Sequence, residues 1–290
     1  MSFLSPRPTP QPVDLPVVAV GSLTRGGGTG VTPTVIALAQ KLGDMGRAVH
    51  VVTAGAGAPR AVNWNDRAED VGDEPLLIAA FVPTWAAADP RAAIAAAKTA
   101  GAEVVVLDGG VPEATVKADL RVLVESAVRG FGNGRAWPLG PLKVARDKGL
   151  AGADCLVTLG PDKAQSTFDT LPIPRMTARL EPLQTGMDWR GMRVFAFAGI
   201  GVPERFFATL HDLGAEVVGK QALADHQELT DMLLLRLARE AAMAGAQLVT
   251  TEKDAVRLPP ELRAQVLVVP VRLVPEDWTS LEVRLARLFT

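Results

Sequence analysis

Five short segments set the first constraint on this chain: VVAVG (17–21), AVHVVT (48–53), EVVVLD (103–108), LRVLVES (120–126) and CLVTLG (155–160). Each is apolar through most of its length. Strands of that kind bury both faces, which calls for helices above and below a parallel sheet. Helical patterns fill the gaps. One helix is predicted from Thr32 to Leu42, stopping near Gly43 and Gly46, and an Ala-rich one over 90–100 with Pro90 at its start. The reading is α/β: a P-loop-type parallel sheet flanked by helices.

After MDWRGM (187–192) the alternation restarts. Strands are expected at 193–199, 215–219, 247–251 and 266–271, and helices at 203–214, 228–244 and 279–289. The 290 residues suit two domains at roughly 150 residues each. We expect a disordered Pro-rich lead over 1–14, a larger domain over 15–189 and a smaller α/β domain over 190–290.

Charge and cysteine content exclude several classes. Lys+Arg 30 against Asp+Glu 32 leaves a net charge of −2, which argues against a nucleic-acid partner. Cys155 is the single cysteine, so no internal disulfide forms, and no Cys/His cluster suggests zinc. No run reaches the roughly 18 apolar residues that span a bilayer, and the first residues lack the apolar core of a signal peptide. A cytoplasmic location is the expectation.

GSLTRGGGTGVTP (21–33) lies between the first strand and the first helix. Backbone amides there can cradle phosphate, and glycine lets the backbone approach an anion closely. Arg25, Gly26, Gly27, Gly28, Thr29, Gly30, Val31 and Thr32 are the candidate nucleotide-binding residues. Thr32 stands where a P-loop places its Mg²⁺-ligating hydroxyl, but Val31 stands where it places lysine. On position alone a phosphate cradle and a plain turn are equally supported. Asp108 ends its strand before Gly109 and Gly110, as a Mg²⁺ ligand or as a turn-initiating aspartate.

Several stretches together resemble one family. GSLT and GGTGVTPTVIALA (21–39), GDEPLLIA (72–79), RGFGNGRAWPLGPL (129–142), FAGIGVPERFFATL (197–210), ADHQEL (224–229) and TTEKDAVRLP (250–259) appear in the order found in tetraacyldisaccharide 4'-kinases. The resemblance implies ATP and Mg²⁺ as cofactors and the lipid A precursor disaccharide as substrate. It makes 15–189 the nucleotide-binding kinase domain and 190–290 the domain that closes the substrate cleft. It implies peripheral contact with the cytoplasmic face of the inner membrane, without a nucleic-acid partner. Asp73 and His226 match the acid/base pair that activates the sugar 4'-hydroxyl, and Thr32 and Asp108 the metal-holding residues. Read without the family, Asp73 and His226 are helix-cap residues. His50 and His211 read as structural.

The departures gather at the nucleotide site. The family's P-loop lysine is Val31, and one extra residue lengthens the loop. The second aspartate of its D-D-G-F-Q motif is Gly109, with Val111 and Pro112 for its Phe and Gln. Ala54 and Ala56 replace an Arg and a Tyr, and the apolar, basic N-terminal segment is largely missing. Arg25 is the candidate substitute charge. The alternative these changes raise is an impaired relative that binds acylated sugar or nucleotide as a regulator or scaffold.

Overall fold

The computed structural model describes residues 9–111, 115–224 and 227–290. Its strands are β1 (Val17–Gly21), β2 (Val49–Ala54), β3 (Arg60–Val62), β4 (Thr84–Ala87), β5 (Val104–Asp108), β6 (Leu120–Ser126), β7 (Cys155–Leu159), β8 (Arg175–Pro182), β9 (Arg193–Ala198), β10 (Glu216–Ala222), β11 (Gln247–Thr251), β12 (Leu267–Val269) and β13 (Val271–Pro275). They form a nine-stranded sheet ordered β13-β8-β7-β6-β1-β5-β2-β4-β3 and a four-stranded sheet ordered β10-β9-β11-β12. From β4 through β8 the large sheet is parallel, with β3 antiparallel to β4 at its edge. The centre follows directly from the sequence: β1 is buried along its whole length, as is β7.

The described residues divide into two compact units. One holds the chain up to Asn65, Ile78–Arg179 and Leu273–Thr290. The other holds Asp66–Leu77 with Leu180–Arg272. The excursion of 66–77 into the second unit has a local cause. Glu74 pairs with Lys253 at 3.2 Å, and Asp73 faces Arg257 at 3.6 Å.

Three strands go beyond the sequence reading. β3 and β4 are only 3 and 4 residues long, and β8 is partly exposed, so none of them reads as a buried apolar run. The single strand expected at 266–271 is two strands, β12 and β13, separated by Pro270. Proline has no N–H to donate, so the ladder breaks there and each half joins a different sheet. The lead expected to be disordered is held down within its described part. Gln11 N–H donates to Thr115 O at 2.9 Å, and Gln11 O accepts from Lys117 N–H at 2.8 Å. Residues 1–8 of that lead lie outside the described residues.

Candidate active site

β1 delivers the chain into the glycine loop, and the helix α1 (Val31–Asp44) takes it away. Gly26, Gly28 and Gly30 have φ of 84°, 80° and 93°, in the left-handed region that side chains disfavour. Gly30 caps α1 without a side chain, and no acidic residue occupies the first turn. The helical ladder begins with Thr34 N–H to Gly30 O at 3.2 Å, so the amides of Val31 and Thr32 precede it. A Cβ on Gly30 would sit 2.5 Å from Leu159. Three left-handed glycines at an uncapped, acid-free helix start make a backbone concavity suited to an anion. The fold of the loop therefore fits a phosphate group, although the residue at its lysine position is apolar.

The loop's entry is clamped by a residue the sequence reading did not single out. Glu125, at the end of β6, is fully buried. Its carboxylate accepts from Ser22 Oγ at 2.9 Å, Leu23 N–H at 2.6 Å, Thr24 N–H at 3.2 Å and Thr24 Oγ1 at 2.6 Å. Burial pushes its carboxyl above the usual range, against the pull of those four donors. A charged residue inside an apolar strand pattern was the available signal.

Two arginines flank the loop, and they sit differently. Arg25 lies over the Trp137 ring, 5.0 Å from its centroid, and its N–H donates to Pro141 O at 3.0 Å. Arg129, from the RGFGNGR stretch, donates from Nη1 to Gly27 O at 2.8 Å. Arg129, a residue to which the motif comparison assigned no role, thus brings a guanidinium to the backbone of the glycine loop.

Asp108 stands at the carboxyl edge of β5, in register with Val20 of β1. That is the edge from which the glycine loop departs. Thr53 Oγ1 donates to Asp108 Oδ2 across 3.4 Å. Gly109 has φ of 81°, and its N–H donates to Val20 O at 2.8 Å. An aspartate at 109 would have to adopt that left-handed backbone. Thr32, half-buried in the first turn of α1, and Asp108 offer the hydroxyl and carboxylate oxygens that Mg²⁺ prefers. Ala54 and Ala56 are exposed, and Pro112 lies outside the described residues.

A second cluster is in the other unit. Asp73 opens the helix Asp73–Ala79 and faces Arg257 Nε across 3.6 Å, with the side chains 11% and 9% exposed. Arg257 Nη2 donates to Asp254 at 2.6 Å, and Nη1 to Gln227 O at 2.9 Å. Asp254, fully buried, also accepts from Gly199 N–H at 3.0 Å and Thr251 Oγ1 at 2.7 Å. One guanidinium thus joins three stretches distant in sequence: GDEP, ADHQEL and TEKDAVR. His226 lies outside the described residues, and Gln227, its neighbour, is held by Arg257. His50 accepts from Trp85 Nε1 at 3.1 Å, and burial lowers its pKa, consistent with a structural role.

These positions can be set beside known proteins. A sequence model of the family described as tetraacyldisaccharide-1-P 4'-kinase matches residues 7–290. A tetraacyldisaccharide 4'-kinase of Jannaschia sp. (strain CCS1) is 50% identical over 280 residues, spanning 93% of this chain and 85% of the relative. One of Dinoroseobacter shibae is 50% identical over 295 residues, spanning 98% and 87%. Among solved structures, the "apo" form of LpxK from Aquifex aeolicus in complex with ATP aligns with a TM-score of 0.77 at 23% identity, covering 97% of this chain and 90% of that one. The last likeness bears out the α/β fold.

Proposed function

This chain belongs to the tetraacyldisaccharide-1-P 4'-kinase family, and from that premise we propose how its two residue clusters share the reaction. The activity is transfer of the ATP γ-phosphate to the 4'-hydroxyl of tetraacyldisaccharide 1-phosphate, the lipid A precursor, giving lipid IVA. The observation that carries it is identity of 50% with two kinases of that name along nearly the whole chain.

Nucleotide handling belongs to the larger unit. The loop from Arg25 to Thr32 holds the phosphates through its backbone, with Arg129 supplying the cation that Val31 does not. The Thr32 hydroxyl and the Asp108 carboxylate would hold the metal. Mg²⁺, when bound, neutralises charge on the transferring phosphoryl group.

Hydroxyl activation belongs to the smaller unit, through Asp73 and His226. An imidazole's ordinary pKa lies near neutral, which suits that side chain to accepting a hydroxyl proton. As the 4'-oxygen bonds to the γ-phosphorus, this pair takes the hydroxyl proton. The bond from that phosphorus to its bridging oxygen breaks, and ADP leaves. Arg257 positions Asp73.

The substrate is a lipid, and no helix among the described residues is long and apolar enough to cross a membrane. Peripheral contact with the cytoplasmic face of the inner membrane fits both facts. The test is purified protein with ATP, Mg²⁺ and detergent-dispersed tetraacyldisaccharide 1-phosphate, followed for 4'-phosphate. Product above a no-enzyme control supports the reading. No product together with no ATP binding by calorimetry rejects it.

A further inference from the structure

We propose that the turn carrying Trp137 and Leu139 is the edge by which this protein docks on an anionic phospholipid bilayer. The inference rests on the lipid-kinase reading and names the surface that peripheral contact uses. Trp137 and Leu139 are 64% and 71% exposed, two large apolar side chains one residue apart. Their exposure is built into a fixed turn. Trp137 N–H donates to Leu142 O at 2.8 Å, Leu139 N–H to Ala136 O at 3.0 Å, and Asn133 Nδ2 to Leu139 O at 2.8 Å. A turn with its backbone so satisfied holds its apolar tip outward.

Charge selects the occupant. The chain's net charge is −2, but this edge is basic. Arg25 covers the Trp137 ring at 5.0 Å, and Arg135, Lys143 and Arg146 of the same segment are exposed. Asp147 pairs with Arg146 at 2.8 Å, leaving three cations unbalanced by it. A water-facing protein surface gains nothing from an exposed tryptophan and leucine on a basic segment. At a bilayer surface the same combination works: tryptophan settles at headgroup depth, and basic side chains meet anionic lipid. Each basic side chain near such a surface strengthens partition about fivefold at physiological salt.

The turn also adjoins the nucleotide loop. Thr24 bridges Leu142, Lys143 N–H donates to Leu23 O at 2.7 Å, and Arg25 N–H donates to Pro141 O at 3.0 Å. Docking through 137–139 therefore holds the glycine loop close to the membrane surface where the lipid substrate resides.

The experiment is co-flotation of the full chain with substrate-free vesicles of phosphatidylcholine alone or with one-third phosphatidylglycerol. We expect binding to the anionic vesicles at least tenfold stronger than to neutral ones, weakening as NaCl rises from 0.05 to 0.5 M. The double variant Trp137→Ser, Leu139→Ser should lose at least tenfold. Leu139→Cys keeps the test sound if that variant fails to fold. Cys155 is buried, its thiol pushed up to about 11, so a thiol-reactive environment-sensitive dye goes to position 139. A blue shift on adding anionic vesicles supports the proposal. Equal binding to neutral vesicles, unchanged binding of the double variant, or a dye that stays in water overturns it. Turnover of detergent-dispersed substrate is read separately, so loss of the docking surface and loss of the kinase reading give different results.

Discussion

Arg257 holds Asp73 and Asp254 on one guanidinium: Nε lies 3.6 Å from the Asp73 carboxylate, and Nη2 donates to Asp254 at 2.6 Å. Asp254 is fully buried, so this cation balances a charge that water does not reach. Removing one partner of such a pair costs about 3–5 kcal/mol. Arg257→Ala should therefore lower the unfolding midpoint sharply. Arg257→Lys keeps the charge but has no planar fork to span Asp73, Asp254 and Gln227 O. We expect that variant to stay folded and to lose about 10- to 100-fold in kcat, with a smaller change in KM for ATP. Steady-state kinetics beside a thermal melt decide. Equal kcat in Arg257→Lys removes the positioning role.

Arg129 reaches the glycine loop, 2.8 Å from Gly27 O, where the lysine position is filled by Val31. Loss of one preorganised electrostatic group at a phosphoryl-transfer site typically costs about 10²–10³ in rate. Arg129→Ala should weaken binding of Mg²⁺–ATP by at least tenfold in calorimetry and barely change binding of adenosine, which has no phosphate. Parallel loss for both ligands would show a collapsed loop instead of a missing charge. Val31→Lys in the Arg129→Ala background should recover part of the loss.

Legibility varied with how local the signal was. β1, β5 and β7 were readable because central parallel strands are apolar at nearly every position. β4 (TWAA) and β8 (RMTARLEP) were not, because the first is only four residues long and the second is half-exposed. The glycine loop announced itself by composition. Glu125 and Arg257 did not, since their importance lies in contacts spanning roughly a hundred residues or more: Glu125 to Ser22–Thr24, and Arg257 to Asp73. Family motifs marked the stretches that meet but not which side chain joins them. Pro270 shows the reverse error, one apolar run split by a missing N–H.

Two glycines of the loop should respond differently to alanine. Gly26 and Gly30 both have positive φ, at 84° and 93°. A Cβ at Gly26 meets nothing within 4 Å, so Gly26→Ala carries only the backbone strain, about 1–2 kcal/mol. A Cβ at Gly30 also lands 2.5 Å from Leu159, adding overpacking of about 1–3 kcal/mol. Denaturant unfolding should rank Gly30→Ala below Gly26→Ala by at least about 1 kcal/mol. The opposite order would contradict the packing of the loop against β7.

Glu125 gives the clearest pH prediction. Its four donors come from Ser22, Leu23 and Thr24, so Glu125→Gln loses acceptor capacity and strands buried N–H or O–H groups, at about 1–3 kcal/mol. Burial raises the carboxyl's folded pKa above its unfolded value of about 4.3. A group raised in this way contributes its full stability below the unfolded value and loses it as pH climbs through the folded one. The wild-type advantage over Glu125→Gln should therefore be largest near pH 4 and shrink toward neutrality, where the buried carboxylate carries its desolvation cost. Urea titrations of both proteins at pH 4.5, 6.0 and 7.5 measure that gap directly. A gap that widens with pH would mean the four donors outweigh burial and hold Glu125 charged.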